Sequence, residues 1–239
     1  MSSTLGVKAL VFDVFGTVVD WRGSITREAR TLGAKIGAKL NPGKFANDWR
    51  GGYAPAMDRV RKGELPWMNI DQLHRLILDE LFIKYKISNL SELEKDQFNR
   101  AWHRLKPWAD SVRGLKKLKT KYTISTLSNG NFSLLNNMAK NAGLPWDCII
   151  SAELFAHYKP DRETYLGAAN LLGLKPEEVM LCAAHKDDLL AAQACGLKTA
   201  FITRPKEFSP SVKVDLTNDG RFDFHATDIL DLASQLTHT

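Results

Sequence analysis

The stretch Lys8-Ala9-Leu10-Val11-Phe12-Asp13-Val14-Phe15-Gly16-Thr17 decides how the rest of the chain reads. Its first half is a near-continuous apolar run, the signature of a parallel strand buried on both faces. The run stops at a carboxylate, and a Gly turn with a Thr follows. Ligands in open parallel sheets sit at the carboxyl ends of the strands. Asp13 therefore stands where such a fold does chemistry. A carboxylate there can attack carbon or phosphorus and form a covalent ester. Phe15, two residues on, narrows which of those reactions fits.

A first strand of this kind needs parallel partners, and they come late. Residues 20 to 105 show helical periodicity and no convincing strand. Ile25, Ala29, Leu32, Ile36 and Leu40 fit one helical face, and Ile70, Leu73, Leu76, Ile77 and Leu81 fit another. Ser91 with Glu94 reads as a capping box that opens a third helix, running to about Arg104. From about residue 110 helical and strand signals alternate. Strands are expected over 122–127, 148–151, 179–183 and 199–203. Helices are expected over 111–119, 132–142, 162–172 and 188–195, the last three closed by Gly143, Gly173 and Gly196. Such alternation implies a parallel sheet with helices on both faces. The expected architecture is an α/β core from residues 1–18 and 108–239, with an all-helical cap, 19–107, inserted after the first strand.

Bulk properties exclude several classes. At 239 residues, 44% hydrophobic and 25% charged, the composition is that of an ordinary globular protein with material for a core. The net charge of +6 favours anionic ligands. Lys116, Lys117, Lys119 and Lys121 form the densest basic run. It reads as a solvated helix face, and no nucleic-acid motif accompanies it. Cys148, Cys182 and Cys195 form no C-x-x-C pair, which suits reduced thiols in a cytosolic protein better than a disulfide or zinc framework. No apolar run approaches membrane-spanning length, and the first seven residues carry no signal-peptide pattern.

Four polar signals fall at or just after expected strand ends. A parallel sheet gathers such positions along one edge. Ser128-Asn129-Gly130-Asn131 offers a hydroxyl, an amide and backbone N–H groups that suit an oxygen anion, or equally a helix cap and turn. Lys159, in His157-Tyr158-Lys159-Pro160-Asp161, is biased to an extended conformation by Pro160. It can neutralise a nucleophilic carboxylate, or be a surface lysine in a turn. Asp188 can anchor Lys159 or activate water, or simply satisfy a helix N-terminus.

These segments resemble the four ordered motifs of the haloacid dehalogenase superfamily: Phe12-Asp13-Val14-Phe15-Gly16-Thr17, Leu127-Ser128-Asn129-Gly130, Tyr158-Lys159-Pro160-Asp161, and Asp188-Leu189-Leu190-Ala191-Ala192-Gln193-Ala194-Cys195-Gly196. The resemblance implies a Rossmann-like sheet with a helical cap. Most members are magnesium-dependent phosphatases, and this chain departs from them twice. Their first motif has an acid where Phe15 stands, and Phe15 cannot transfer a proton. Their fourth motif has a metal-holding acid where Ala184 stands, and magnesium needs several hard oxygen ligands. Asp187 is out of register for that task.

Both losses match the branch that resembles this chain further, the L-2-haloacid dehalogenases. Halide leaves without being protonated, and Lys159 supplies the charge a metal would. The resemblance then implies that Asp13 displaces halide from C2 of a short 2-haloacid and that water hydrolyses the resulting ester, with no metal or other cofactor. It implies Asp188 with Lys159 around the water, and Thr17 and Ser128 around Asp13 or the substrate carboxylate. Arg50, in Asp48-Trp49-Arg50, would face the halide with Asn129, while Phe15 and cap aromatics exclude bulk water. Tyr165 matches a family Tyr, or packs in the core. His185 stands where better-known members have Asn. It helps handle the water, or bonds a backbone carbonyl. Ala183, Asp187 and Gly51 also depart from those members and bear on substrate choice. Implied partners are a small anionic haloacid and a second copy in a homodimer, with no nucleic acid and no membrane. The competing readings are a magnesium-dependent phosphatase and a non-catalytic member.

Overall fold

The computed structural model describes residues 6–237. The N-terminal reading for residues 1–5 lies outside them. The chain divides into two compact units, Trp21–Lys106 and Met1–Asp20 with Pro107–Thr239.

The second of these holds a six-stranded, all-parallel sheet. Its strands are β1 (Ala9–Phe12), β4 (Thr123–Ser128), β5 (Cys148–Ser151), β6 (Val179–Ala183), β7 (Lys198–Ile202) and β8 (Phe224–Ala226). The two-residue strands β2 (Val19–Asp20) and β3 (Lys106–Pro107) lie where the chain leaves and rejoins this unit. The spatial order is β5-β4-β1-β6-β7-β8. β1 is thus central, with Phe12 opposite Thr126 on one side and Cys182 on the other. Every residue of β1 is buried, as the unbroken apolar run requires. The chain builds outward through β4 and β5, then reverses to add β6, β7 and β8 on the far side of β1. That reversal is a topological switch point, where parallel sheets open a crevice at their carboxyl ends. Asp13 sits at its lip.

Helices α6 (Ser111–Lys119), α7 (Phe132–Ala142), α8 (Arg162–Leu171), α9 (Lys186–Ala194) and α10 (Ile229–Thr237) flank the sheet. Tyr165, Ala168, Leu189 and Ala192 from α8 and α9 join Val11, Leu127, Leu181 and Phe201 in one buried cluster. α7 closes at Gly143 with φ +65°, the left-handed cap that glycine adopts without cost. α9 begins two residues earlier than expected, so Asp188 lies in its first turn rather than opening it. The expectation that Ser111 begins a helix with an outward lysine face holds: Gly114, Leu115 and Leu118 are buried, while Lys116 and Lys119 are exposed.

The other unit is all helical, with α1 (Trp21–Ile36), α2 (Pro42–Gly51), α3 (Tyr53–Arg61), α4 (Ile70–Lys84) and α5 (Glu92–Asn99). Ser91 and Glu94 form the capping box, but the α-helix stops at Asn99 and tightens into a 3-10 turn, Arg100–Arg104. Trp49, Phe98, Trp102 and His74 form its aromatic centre. His74 stacks on Trp102 at 4.2 Å between centroids, and Trp49 Nε1 donates to the His74 carbonyl at 3.0 Å. No helix among the described residues is long and apolar enough to cross a membrane.

Candidate active site

Asp13 leaves β1 with its backbone N–H bonded to Cys182 O at 3.1 Å, so the adjacent strand fixes its main chain. Its carboxylate is almost fully buried. Oδ1 accepts from Lys159 Nζ at 3.1 Å. Oδ2 accepts from Thr17 Oγ1 at 2.7 Å and lies 3.1 Å from His185 Nδ1. Thr17 Oγ1 in turn accepts from Ala184 N at 2.9 Å. The Gly16 turn, at φ +87°, brings Thr17 back towards the carboxylate four residues earlier. Burial works to raise the Asp13 pKa. The Lys159 charge, with the His185 and Thr17 bonds, overcomes it and holds the carboxyl well below the usual range.

Lys159 is 8% exposed. Besides Asp13 it reaches Asp188 Oδ2 at 2.5 Å. Burial opposes its charge, but the two carboxylates outweigh burial and raise its pKa above the ordinary lysine value. Asp188 is held on its other oxygen by Tyr165 OH at 2.6 Å. Tyr165 is a fully buried helix residue whose hydroxyl nevertheless ends at the site, so it both packs and orients. Burial first, then the Asp188 carboxylate, push its phenol pKa upward.

His185 does not take the backbone carbonyl that one reading of it allows. Its two nitrogens lie between two carboxylates, Asp13 on Nδ1 and Glu207 on Nε2 at 3.0 Å. Burial resists the charge on this ring, while bonds to Asp13 and Glu207 and their charges push its pKa up to about 10. Glu207 is 2% exposed, and the sequence reading does not reach it. It lies after β7 in a stretch without helical or strand periodicity, so neither period nor motif signals it.

Ser128 and Asn129 bond to neighbouring main chain. Ser128 Oγ accepts from Gly130 N at 3.2 Å, bracing the turn. Asn129 Oδ1 accepts from Lys159 N at 2.6 Å, and its Nδ2 reaches Lys159 O at 3.4 Å. Asn129 thus fixes the main chain that carries the ammonium. The Phe15 ring lies against Gly130, where a Cβ would approach it to 3.1 Å. Ala184, buried, presents a methyl group where the phosphatase pattern has its acid. Among the described residues no group of three or more His, Cys, Asp or Glu side chains is arranged to hold a metal ion. Asp187 is exposed, and a side chain at Gly51 would meet nothing within 4 Å.

Arg50 belongs to the helical unit. Its guanidinium lies 4.2 Å from the Tyr53 ring centroid and 5.8 Å from that of Trp21. A cation held over ring faces in this way keeps its N–H donors.

Taken together, the core unit presents an ionised carboxylate, a buried ammonium and an imidazole–carboxylate pair. The set suits nucleophilic displacement followed by hydrolysis of an ester.

Relatives bear on the same chemistry. The family of haloacid dehalogenase-like hydrolases matches residues 7–196. A crystal structure of a defluorinating L-2-haloacid dehalogenase superposes with a TM-score of 0.94 at 48% identity, covering 97% of this chain and 95% of that one. A second L-2-haloacid dehalogenase structure gives 0.94 at 48% identity, over 98% and 100%. The (S)-2-haloacid dehalogenase 4A of Burkholderia cepacia is 28% identical over 83% of this chain and 84% of its own. The chain belongs to the haloacid dehalogenase-like hydrolases, in the branch of the L-2-haloacid dehalogenases.

Proposed function

We propose that this protein hydrolyses short L-2-haloacids to 2-hydroxy acids and halide through an ester on Asp13. The observation that carries the reading is the Lys159 ammonium set between Asp13 and Asp188 at 3.1 and 2.5 Å. It keeps a buried carboxylate ionised as a nucleophile. Phe15 supplies no proton to a leaving group, and halide needs none.

Asp13 Oδ1 carries one bond and Oδ2 two, so Oδ1 is assigned the attack on C2. The C2–Oδ1 bond forms from the side opposite halide, which departs with its bonding pair. Oδ2 becomes the ester carbonyl oxygen, held by Thr17. We assign Ser128 to the substrate carboxylate and Arg50 and Asn129 to the halide. The Asn129 amide is already engaged with the Lys159 main chain.

Esterification removes the negative charge beside His185 Nδ1. The ring then releases its Nδ1 proton to solvent more easily, the one proton that the overall hydrolysis yields with the halide. Neutral His185, donating from Nε2 to Glu207, has Nδ1 free to take a proton from water as the water attacks Cγ. Collapse breaks the Cγ–Oδ1 bond; the departing alkoxide takes the proton left on the attacking oxygen, giving the 2-hydroxy acid, the Asp13 carboxylate and a protonated His185. Asp188 and Tyr165 keep Lys159 aimed throughout. The reading needs no cofactor. Three unpaired cysteines agree with a cytosolic setting, and the homodimer implied by the family is open to sedimentation analysis.

The decisive assay is halide release from chloroacetate, fluoroacetate and 2-chloropropionate in the presence of EDTA. Expected is release by the wild type and none by Asp13→Asn. Magnesium-dependent phosphate release with no halide would instead establish the phosphatase reading. Turnover of neither class, with haloacid still bound, would favour a non-catalytic member.

A further inference from the structure

We propose that Arg204 is a positioning residue for the nucleophile, acting through the backbone of Thr17. The inference rests on the proposed Asp13 ester and extends it to a residue that touches neither substrate nor reacting atoms.

Arg204 follows β7 and is buried. Its Nε donates to Thr17 O at 2.8 Å. Its two terminal nitrogens donate to the two oxygens of Asp110, each at 2.8 Å. Asp110 Oδ2 also accepts from Ile229 N at 2.9 Å, so the first residue of α10 anchors the carboxylate. A bidentate pair with a third planar bond fixes the guanidinium in rotation as well as position.

The carbonyls on either side of Thr17 are held as well. Gly16 O accepts from Trp108 Nε1 at 2.7 Å. Val18 O accepts from Ser111 Oγ at 2.7 Å and from Trp108 N at 3.1 Å. The Arg204 guanidinium lies 5.6 Å from the Trp108 ring centroid. Three successive carbonyls of the nucleophile loop are thus tied to three partners. Of these only Arg204 grips the residue whose hydroxyl bonds Asp13.

A mere fold-stabilising role would not need the Nε bond. The Arg204–Asp110 pair alone would satisfy both charges. The Nε bond places a third donor on the backbone oxygen of the residue whose Oγ1 donates to Asp13 Oδ2. A misplacement of about 1 Å in a reacting group can slow a reaction about 100-fold.

The test separates chemistry from folding. Arg204→Met leaves the Asp110 charge buried and unpaired, and it is expected to lose stability. The double variant Asp110→Asn/Arg204→Met removes that orphan charge, while the amide oxygen it places there still accepts from Ile229 N. Both are compared with wild type in rapid-quench experiments with 2-chloropropionate, well below their melting temperatures. Halide is measured, and the Asp13 peptide is weighed for the ester. Expected for the double variant is a melting temperature nearer wild type, with ester formation slowed about 10–100-fold and KM changed less than about twofold. Ester formation at the wild-type rate in a folded double variant would overturn the inference and leave the proposed function intact. Wild-type halide release without any ester on Asp13 would overturn both.

Discussion

The carboxylate of Glu207 occupies the space that a side chain at Gly16 would take: a Cβ there would lie 2.1 Å from Glu207 Oε1. The nucleophile loop and the turn after β7 therefore fit each other only because position 16 has no side chain. Gly16 also sits at φ +87°, where an L-residue costs roughly 1–2 kcal/mol. Gly16→Ala is expected to lower the melting temperature and to cut kcat at least about tenfold by moving Glu207 off His185. Wild-type kcat in this variant would refute the relationship.

Glu207→Gln removes one of the two charges on His185. The folded pKa of His185, about 10, lies above its unfolded value near 6.5. Its contribution to stability is therefore full below about pH 6.5 and lost as pH rises towards 10. In Glu207→Gln the His185 pKa falls. The decline in melting temperature between pH 6.5 and 10 becomes shallower than in wild type. Thermal melts across that range give the comparison, and identical slopes would count against the pairing.

His74 behaves in the opposite sense. It is buried, and among the described residues neither ring nitrogen has a hydrogen-bond partner. Burial first, then Arg50 and His103 against the opposing pull of Asp71, lower its pKa to about 3. The unfolded chain takes up this proton near pH 6.5 and the folded one does not, so folding weakens by up to about 1.4 kcal/mol per pH unit below that. His74→Phe keeps a ring against Trp102 and removes the titration. Urea midpoints at pH 4 and pH 7 are expected to differ less in the variant than in wild type.

Tyr165→Phe deletes the hydroxyl on Asp188 and little else, because the ring is fully buried. Losing one bond to a buried carboxylate costs about 1–3 kcal/mol. Expected is a folded enzyme with kcat reduced about tenfold or more and KM nearly unchanged. An unaltered kcat would reduce Tyr165 to a packing residue.

What the chain makes legible follows from where each residue sits. Asp13, Lys159 and Asp188 close long apolar runs or open turns beside them, so strand periodicity places them on one sheet edge. Thr17 comes with its Gly turn. Glu207 and Arg204 are not legible. They lie in Thr203-Arg204-Pro205-Lys206-Glu207, a turn with no period, and their partners Gly16, Thr17 and Asp110 are distant in sequence. β8 escapes sequence reading because three residues, two of them half-buried, make no pattern. α10 does carry apolar residues at helical spacing, Ile229, Leu232, Ala233 and Leu236, a signal that the alternation ending at residue 203 leaves out. Asn129 lies against the Lys159 main chain, but a lone amide in a sequence cannot reveal that its acceptor is spent on the Lys159 backbone.

The central position of β1 has a consequence for how the protein is made. β1 leaves the ribosome well before its neighbours β4 and β6, which are encoded far downstream. At about 5–20 residues per second of synthesis, a four-residue strand with no solvent-tolerant face waits on the order of ten seconds for its second partner. During that interval the nascent chain must shelter Ala9–Phe12 by other means. A chain that stops between Ala183 and Glu207 therefore has β1 paired on both sides, yet lacks the carboxylate that holds His185 Nε2.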